Sequence, residues 1–167
     1  MLKGRAFKFG DDISTDLIIP GRLAHLRSNL PELAKHVLED AAPGFASRVR
    51  PGDFVVAGRN FGLGSSREHA PVAIKMAGVS AVLAQSAARI FFRNAINVGL
   101  PVLICDTSKI ADGDELEIDL AVTTVRDLSN GTQLSSGRIP EVMLRILEEG
   151  GLVEYIKKYG DFEVKGK

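Results

Sequence analysis

The chain has 167 residues, 45% hydrophobic and 25% charged, the balance of one globular domain with enough apolar surface for a sizeable core. Lys plus Arg number 21 and Asp plus Glu number 21, which removes the electrostatic footprint of a dedicated nucleic-acid or anionic-membrane binder. No apolar run approaches the ~20 residues of a membrane span, and the first seven residues lack the apolar core of a signal peptide, so a cytoplasmic setting is expected.

In chain order, FKFGDDISTDLIIPG (7–21) reads as a short strand, a polar turn and an apolar run stopped by Pro20-Gly21. A helix is expected from about Pro31, with Leu33, Val37 and Leu38 on one face and Pro43-Gly44 as its stop. A regular alternation follows: a buried strand over 53–58, a Gly-rich turn at Gly62-Leu63-Gly64, a helix over 65–77, and a second buried strand over 79–84. Ala87, Ile90, Phe91, Asn94, Ala95 and Val98 line one face of the next helix, which ends at Gly99, and Pro101–Ile104 is a third strand. Strand, helix, strand, helix, strand at this spacing predicts a parallel α/β unit. Beyond Asp106 the texture turns antiparallel, with alternation over 116–120, a β-type run over 122–125, and Gly131 and Gly137 punctuating short pieces. Pro140 opens a helix that Gly150-Gly151 stops, a short final helix spans 152–159, and the charged tail Lys165-Gly166-Lys167 is expected to fray. Neither a repeat nor a domain boundary interrupts residues 1–167.

The densest chemistry lies in GRNFGLGSSREHA (58–70), between a buried strand and a helix, where open α/β sheets bind ligands. Glycines admit close backbone approach, a helix start offers N–H donors, Arg67 adds a planar fork, and Ser65 and Ser66 add hydroxyls. The combination suits a carboxylate. A phosphate loop would need Gly-Lys-Ser/Thr, and the dinucleotide fingerprint a third glycine; the stretch has neither. Ser65 and Glu68 also fit a capping box, which explains neither Ser66, Arg67 nor the glycines. Pro71 sits awkwardly in a helix that starts at Ser65, so the regular helix could begin nearer Pro71. A single cysteine, Cys105, cannot form an internal disulfide or hold a structural zinc or an iron–sulfur cluster alone, and the three histidines are too widely spaced for a helix-borne metal pair. No metal site is assigned to this chain.

GRNFGLGSSREHA is similar to the signature of the small, swivelling domain of the aconitase superfamily. GRAFKFGDDISTDLIIPG and ARIFFRNAINVGLP resemble that domain's N-terminal motif and its next helix and strand. The short chain resembles the stand-alone small subunits of the superfamily's isopropylmalate and homoaconitate branches. The resemblance implies an α/β swivelling domain of three-layer β/β/α type, with a parallel β-α-β-α-β unit, additional antiparallel strands and C-terminal helices. It implies a hydro-lyase that isomerises 2-isopropylmalate and 3-isopropylmalate in leucine biosynthesis, with a homoaconitase-type substrate as the alternative. It further implies a larger catalytic subunit carrying a [4Fe–4S] cluster, no cofactor on this chain, and a small hydroxy-carboxylic acid as substrate.

The residue roles come with the resemblance. Ser65 matches the general base, and Ser66 with Arg67 the carboxylate-binding pair. Asp16 matches an aspartate that orients a histidine of the larger partner; alone, an Asp beside Ser14 and Thr15 reads as a turn or helix cap. Arg27 lies in the loop that reads the substrate's variable group, where His25 replaces the family's usual Tyr; an arginine there suits an additional carboxylate. Arg59 and Asn60 are supporting candidates, and Cys105 is expected to be a buried core thiol. Two rivals stand beside this reading: a serine hydrolase built on Ser65, His69 and Asp16, which lacks the Gly-x-Ser-x-Gly elbow, and a carboxylate-binding module without catalysis.

Overall fold

The computed structural model of the chain describes residues 1–160; the tail at Lys165-Gly166-Lys167 lies outside them. Strand β1 (Leu2–Lys8) is the seam of the fold. Its first half, Leu2 to Arg5, pairs antiparallel with β5 (Glu115–Asp119), and its second half, Ala6 to Lys8, pairs parallel with β2 (Phe54–Val56). The strand begins earlier than the apolar pattern predicts, because Lys3 and Arg5 alternate with half-buried Leu2 and Gly4 at the sheet's polar rim. Gly4 is required where β1 changes partner. A Cβ there would lie 2.1 Å from the carbonyl oxygen of Gly52, well inside contact distance.

With β3 (Ala81–Ala84), β4 (Val102–Ile104), β6 (Thr124–Asp127) and β7 (Gln133–Ser135), the sheet order is β4-β3-β2-β1-β5-β6-β7. The β2, β3 and β4 pairings are parallel, those of β5 to β7 antiparallel. The apolar runs at β2, β3 and β4 are buried on both faces, as parallel strands require. One face packs Val55, Ala57, Val82 and Ala84 against Ala73 and Ile74 of α4 (His69–Met76) and Phe91 and Ala95 of α5 (Arg89–Asn97). The other packs Phe54, Val56, Leu83 and Leu103 against Leu116, Ile118, Val125 and Leu134 of the antiparallel half. Helices, parallel strands and antiparallel strands thus form the three expected layers. Helices α6 (Glu141–Glu148) and α7 (Leu152–Tyr159) close on α5 through Ile96, Ile146 and Tyr155.

Two local expectations change. Residues 15–18 form a single helical turn, α1 (Thr15–Ile18), capped by the Ser14 hydroxyl, which accepts from the N–H of Leu17 at 3.1 Å. The helix expected from Pro31 to Pro43 stops early: α2 spans Leu30–Ala34, and a further turn, α3, spans Phe45–Arg48. Between them Leu38 takes a left-handed φ of 59° and donates its N–H to Ile18 at 2.9 Å. Leu33, Val37 and Leu38 are all fully buried in the helix-side core, so burying the whole apolar set outweighs helical continuity, whose propensity term is at most ~1 kcal/mol per residue.

Candidate active site

The loops leaving the carboxyl ends of β2 and β3 carry the site. Gly58 to Ser65 is stitched on both sides. Toward the N-terminal segment, Asp12 donates to Arg59 at 2.8 Å, Gly62 to Ile13 at 2.7 Å and Thr15 to Leu63 at 2.8 Å, all through main-chain groups. Toward the β3 loop, Phe61 donates to Ser86 at 3.0 Å and Ala88 to Phe61 at 2.9 Å. Asn60, in the left-handed region, donates its side-chain amide to Asp12 at 2.9 Å; its role, and that of Arg59, is to set the loop. Gly62 has φ +80°, and a Cβ there would meet the Phe91 ring at 2.3 Å. Phe91 in turn packs edge-on against Phe61, with ring centroids 5.1 Å apart.

The helix after this loop begins at His69, not at Ser65, and Glu68 precedes it with no side-chain cap. The capping box therefore does not form. Proline lacks an N–H and is tolerated only in a first turn, so Pro71 sets the helix start within two residues of itself. Ser65 instead uses its carbonyl, which accepts the Thr15 hydroxyl at 2.8 Å. Among the described residues, the main-chain N–H groups of Gly64, Ser65, Ser66 and Arg67 donate to no main-chain acceptor. They lie beside a cavity of about 220 Å³ lined by Ser65, Ser66, Arg67, Arg89, Ile90 and Asn94, with Thr15 and Phe91 at its base. Hydroxyls, a guanidinium and unused N–H donors in this lining suit an oxyanion. Ile90, also in the lining, is 57% exposed, an apolar surface open to a ligand.

Arg67 is aimed rather than free. Its Nη1 donates to the carbonyl of Ile19 at 2.8 Å and its Nη2 pairs with Asp16 Oδ1 at 3.2 Å. A guanidinium has five N–H donors, so three remain for a ligand. Asp16 also accepts the N–H of Gly21 at 3.1 Å, and its side chain is 69% exposed against 27% for Arg67. It sits at the rim, holding Arg67 with an open side toward solvent. Among the described residues no hydrogen bond joins His69 to Ser65 or Asp16, whose Oδ1 instead meets Arg67 and Gly21, so the Ser65–His69–Asp16 chain of a hydrolase is not assembled. The sequence prediction thus finds Ser65, Ser66, Arg67 and Asp16 in one constellation. Arg27, at the exposed end of the 3-10 turn 21–26, is outside the cavity lining.

Three lining residues escape sequence reasoning. Thr15 is the buried post under Ser65. Asn94 is the polar break in the apolar stripe of α5, and Arg89 is a cation in a first turn, where the helix dipole disfavours it; those two anomalies are the signals. As for metals, no three His, Cys, Asp or Glu side chains among the described residues converge to hold an ion. Cys105 is buried, and burial, then the charge of Asp106, pushes its thiol up to about 11. A single protonated thiol does not fit a cubane cluster, which uses several thiolates.

A mixed sheet whose β2–β3 crossover presents two serines and an aspartate-held arginine belongs, with this sequence, to the aconitase C-terminal domain family, whose model matches residues 11–106. The chain is 67% identical over 96% of its length and 98% of the relative to "3-isopropylmalate dehydratase small subunit 2" of Archaeoglobus fulgidus. It is 53% identical to a methanogen homoaconitase small subunit of Methanothermobacter thermautotrophicus, over 99% of this chain and 96% of that one. The crystal structure of a 3-isopropylmalate dehydratase from Methanocaldococcus jannaschii superposes with a TM-score of 0.90 at 48% identity, covering 95% of each chain. The aconitase-type α/β fold read from the sequence is thereby shown.

Proposed function

We propose that this chain, as a single swivelling domain, is the small subunit of a two-chain hydro-lyase of leucine biosynthesis that interconverts 2-isopropylmalate and 3-isopropylmalate. The observation that carries this is the mixed lining of the cavity. Ser65, Ser66 and the Asp16-held fork of Arg67 offer donors to a carboxylate, and Ala88 and Ile90, beside Arg89 and Asn94, offer apolar surface to an alkyl group. The names of relatives that match nearly the whole chain support the same substrate.

In the reaction, a 2-hydroxy acid loses water to give an alkene, and water returns with the opposite regiochemistry. Ser66 and Arg67 bind a substrate carboxylate, which stabilises the negative charge that builds up on it as the adjacent carbon loses its proton. Ser65 Oγ receives that proton. A serine oxygen is basic enough only beside positive charge and N–H donors, which Arg67 and the Gly64–Arg67 main chain provide. Asp16 orients Arg67 and reaches toward a histidine of the larger subunit. A [4Fe–4S] cluster on that subunit supplies Lewis-acid activation of the leaving hydroxyl when bound. The enzyme works in the cytoplasm, where a lone reduced thiol is at home. A homoaconitase-type substrate is the second reading, favoured by the homoaconitase name of one relative.

The test is Ser65→Ala in the enzyme reconstituted from both subunits. Turnover of 3-isopropylmalate should fall to background while association, followed by size-exclusion chromatography, is unchanged, because Ser65 is exposed and its hydroxyl supports no other residue. Undiminished turnover removes Ser65 as the base. Turnover by this chain alone defeats the two-chain assignment.

A further inference from the structure

At the other end of the parallel strands from Ser65 lies a second cavity, of about 440 Å³, lined by Arg5, Phe7, Ser47, Arg48, Arg50 and Asp112. Arg48 and Arg50 immediately precede β2, so they sit at the amino ends of the strands whose carboxyl ends carry the site. The guanidinium carbons of Arg5 and Arg48 lie 4.9 and 5.9 Å from the centroid of one ring, Phe7. That ring is itself packed edge-on against Phe45 at 5.2 Å. Asp53 fixes the other two supports: its Oδ1 accepts the N–H of Arg5 at 3.0 Å and its Oδ2 the N–H of Arg50 at 2.9 Å. Both oxygens of this buried carboxylate are thus committed to main chain and not to a guanidinium. Among the described residues none of the three arginines forms an ion pair; Arg48 has one long contact, 3.5 Å, to the Pro43 carbonyl. Asp112 spends Oδ1 on the N–H of Lys8 at 2.8 Å. Three guanidiniums against two carboxylates, Asp112 in the lining and the buried Asp53 beneath, leave the hollow with an excess of positive charge on a chain of zero net charge.

We infer that this hollow is a binding site for a diphosphate group, free or carried on a nucleotide. One carboxylate would answer one fork, whereas the terminal oxygens of a diphosphate can accept from all three guanidiniums. Stacking on Phe7 and the Asp53 clip hold two arms and two backbone segments before any ligand arrives, which lowers the ordering entropy that binding must overcome. Nothing in the dehydratase reading uses these residues, so the two stand or fall separately.

Isothermal titration of the full chain with inorganic pyrophosphate, and in parallel with ADP, at physiological ionic strength tests the assignment. One saturable site is expected. Arg48→Gln should weaken it about 10–100-fold, the loss of a hydrogen bond to a charged group. Arg48→Lys, which keeps the charge but not the fork, should weaken it as well, and carries the test if Arg48→Gln fails to fold. Arg138→Gln, the same charge change at an exposed position outside the hollow, should leave affinity within about twofold, since distant exposed charges are screened. Tighter binding of ADP than of pyrophosphate identifies a nucleotide as the source, and equal binding a bare diphosphate. No saturable binding of either probe, or equal weakening by Arg138→Gln, overturns the site.

Discussion

Gly62→Ala tests whether the reactive loop is held by packing against α5. Two costs add. Alanine at the observed φ of +80° brings about 1–2 kcal/mol of left-handed strain. Its Cβ would stand 2.3 Å from Phe91 Cγ and 2.5 Å from Phe91 Cβ, atoms near the root of a buried ring that cannot swing away. Forcing an extra carbon into such packing costs about 1–3 kcal/mol. The sum, about 2–5 kcal/mol, is a large share of the 5–15 kcal/mol that holds a domain folded and corresponds to a fall in Tm of about 4–20 °C. Urea and thermal unfolding measure it, and under the proposed function turnover with the larger subunit should fall as well, because the loop carries Ser65. The double variant Gly62→Ala/Phe91→Ala separates the two costs. Phe91→Ala alone should lose about 3–5 kcal/mol, and the pair should lose less than the sum of the singles by about the steric share. A Gly62→Ala loss below about 1 kcal/mol, or strict additivity with Phe91→Ala, refutes the contact as the reason for glycine here.

Arg27→Leu should leave Tm unchanged, since Arg27 is exposed and its side chain has no partner among the described residues; if Arg27 reads an added carboxylate, the kcat/KM ratio of 3-isopropylmalate to homocitrate should rise about tenfold or more, and an unchanged ratio removes it from specificity. Asp127 is buried, and its Oδ2 meets no N–H or O–H donor; burial, then the Asp114 carboxyl, raises its pKa, while its hydrogen bond lowers that of Asp114. An acid raised on folding contributes stability that is full below the ordinary aspartate range, about 4, and is lost as pH rises through the folded-state value. Asp127→Asn supplies a donor at every pH, so the urea midpoint near neutrality should rise and the stability–pH profile flatten on its alkaline side; an unaltered profile refutes the shared proton. With its thiol pushed up to about 11, Cys105 is thiolate in about one molecule in a thousand at pH 8, so a disulfide reagent should label the native chain slowly and the urea-unfolded chain at once. Rapid stoichiometric labelling of the native chain contradicts that burial.

The parallel unit was legible because fully buried strands write themselves as short apolar runs: 53–58, 79–84 and 101–104 each contain an observed strand. What was not legible depended on partners far along the chain. Leu38 carries a helix-compatible side chain, yet its backbone answers to Ile18, twenty positions away. Ser65 and Glu68 satisfy a capping pattern that Pro71 and the Thr15 hydroxyl overrule. At the site, residue types already singled out two serines and an arginine among glycines, the group that the proposed function assigns to a carboxylate. They could not reveal that Asp16 would be turned onto Arg67, because that pair depends on the α1 turn, where a single helical turn was hidden in an apolar run.

The exposure of the catalytic candidates bears on why two chains would be needed. Ser65, Ser66 and Asp16 are all exposed, in high dielectric, where a serine oxygen is a poor base and a single arginine gives little electrostatic stabilisation. The supports beneath them are the reverse: Phe61 and Thr15 are buried, and Arg67 is anchored at two points. The loop is thus rigid from below and bare from above. A partner surface closing over it would expel water and raise the worth of each of these groups at once, and would bring its own histidine within reach of the free side of Asp16. Under the proposed function, docking is therefore itself part of catalysis. Asp16→Asn should then depress turnover of the complex more than it disturbs the fold of this chain, since the neutral amide keeps a hydrogen bond for Gly21 or Arg67 but not the charge a histidinium would meet. Equal turnover by Asp16→Asn and the parent complex refutes that role for Asp16.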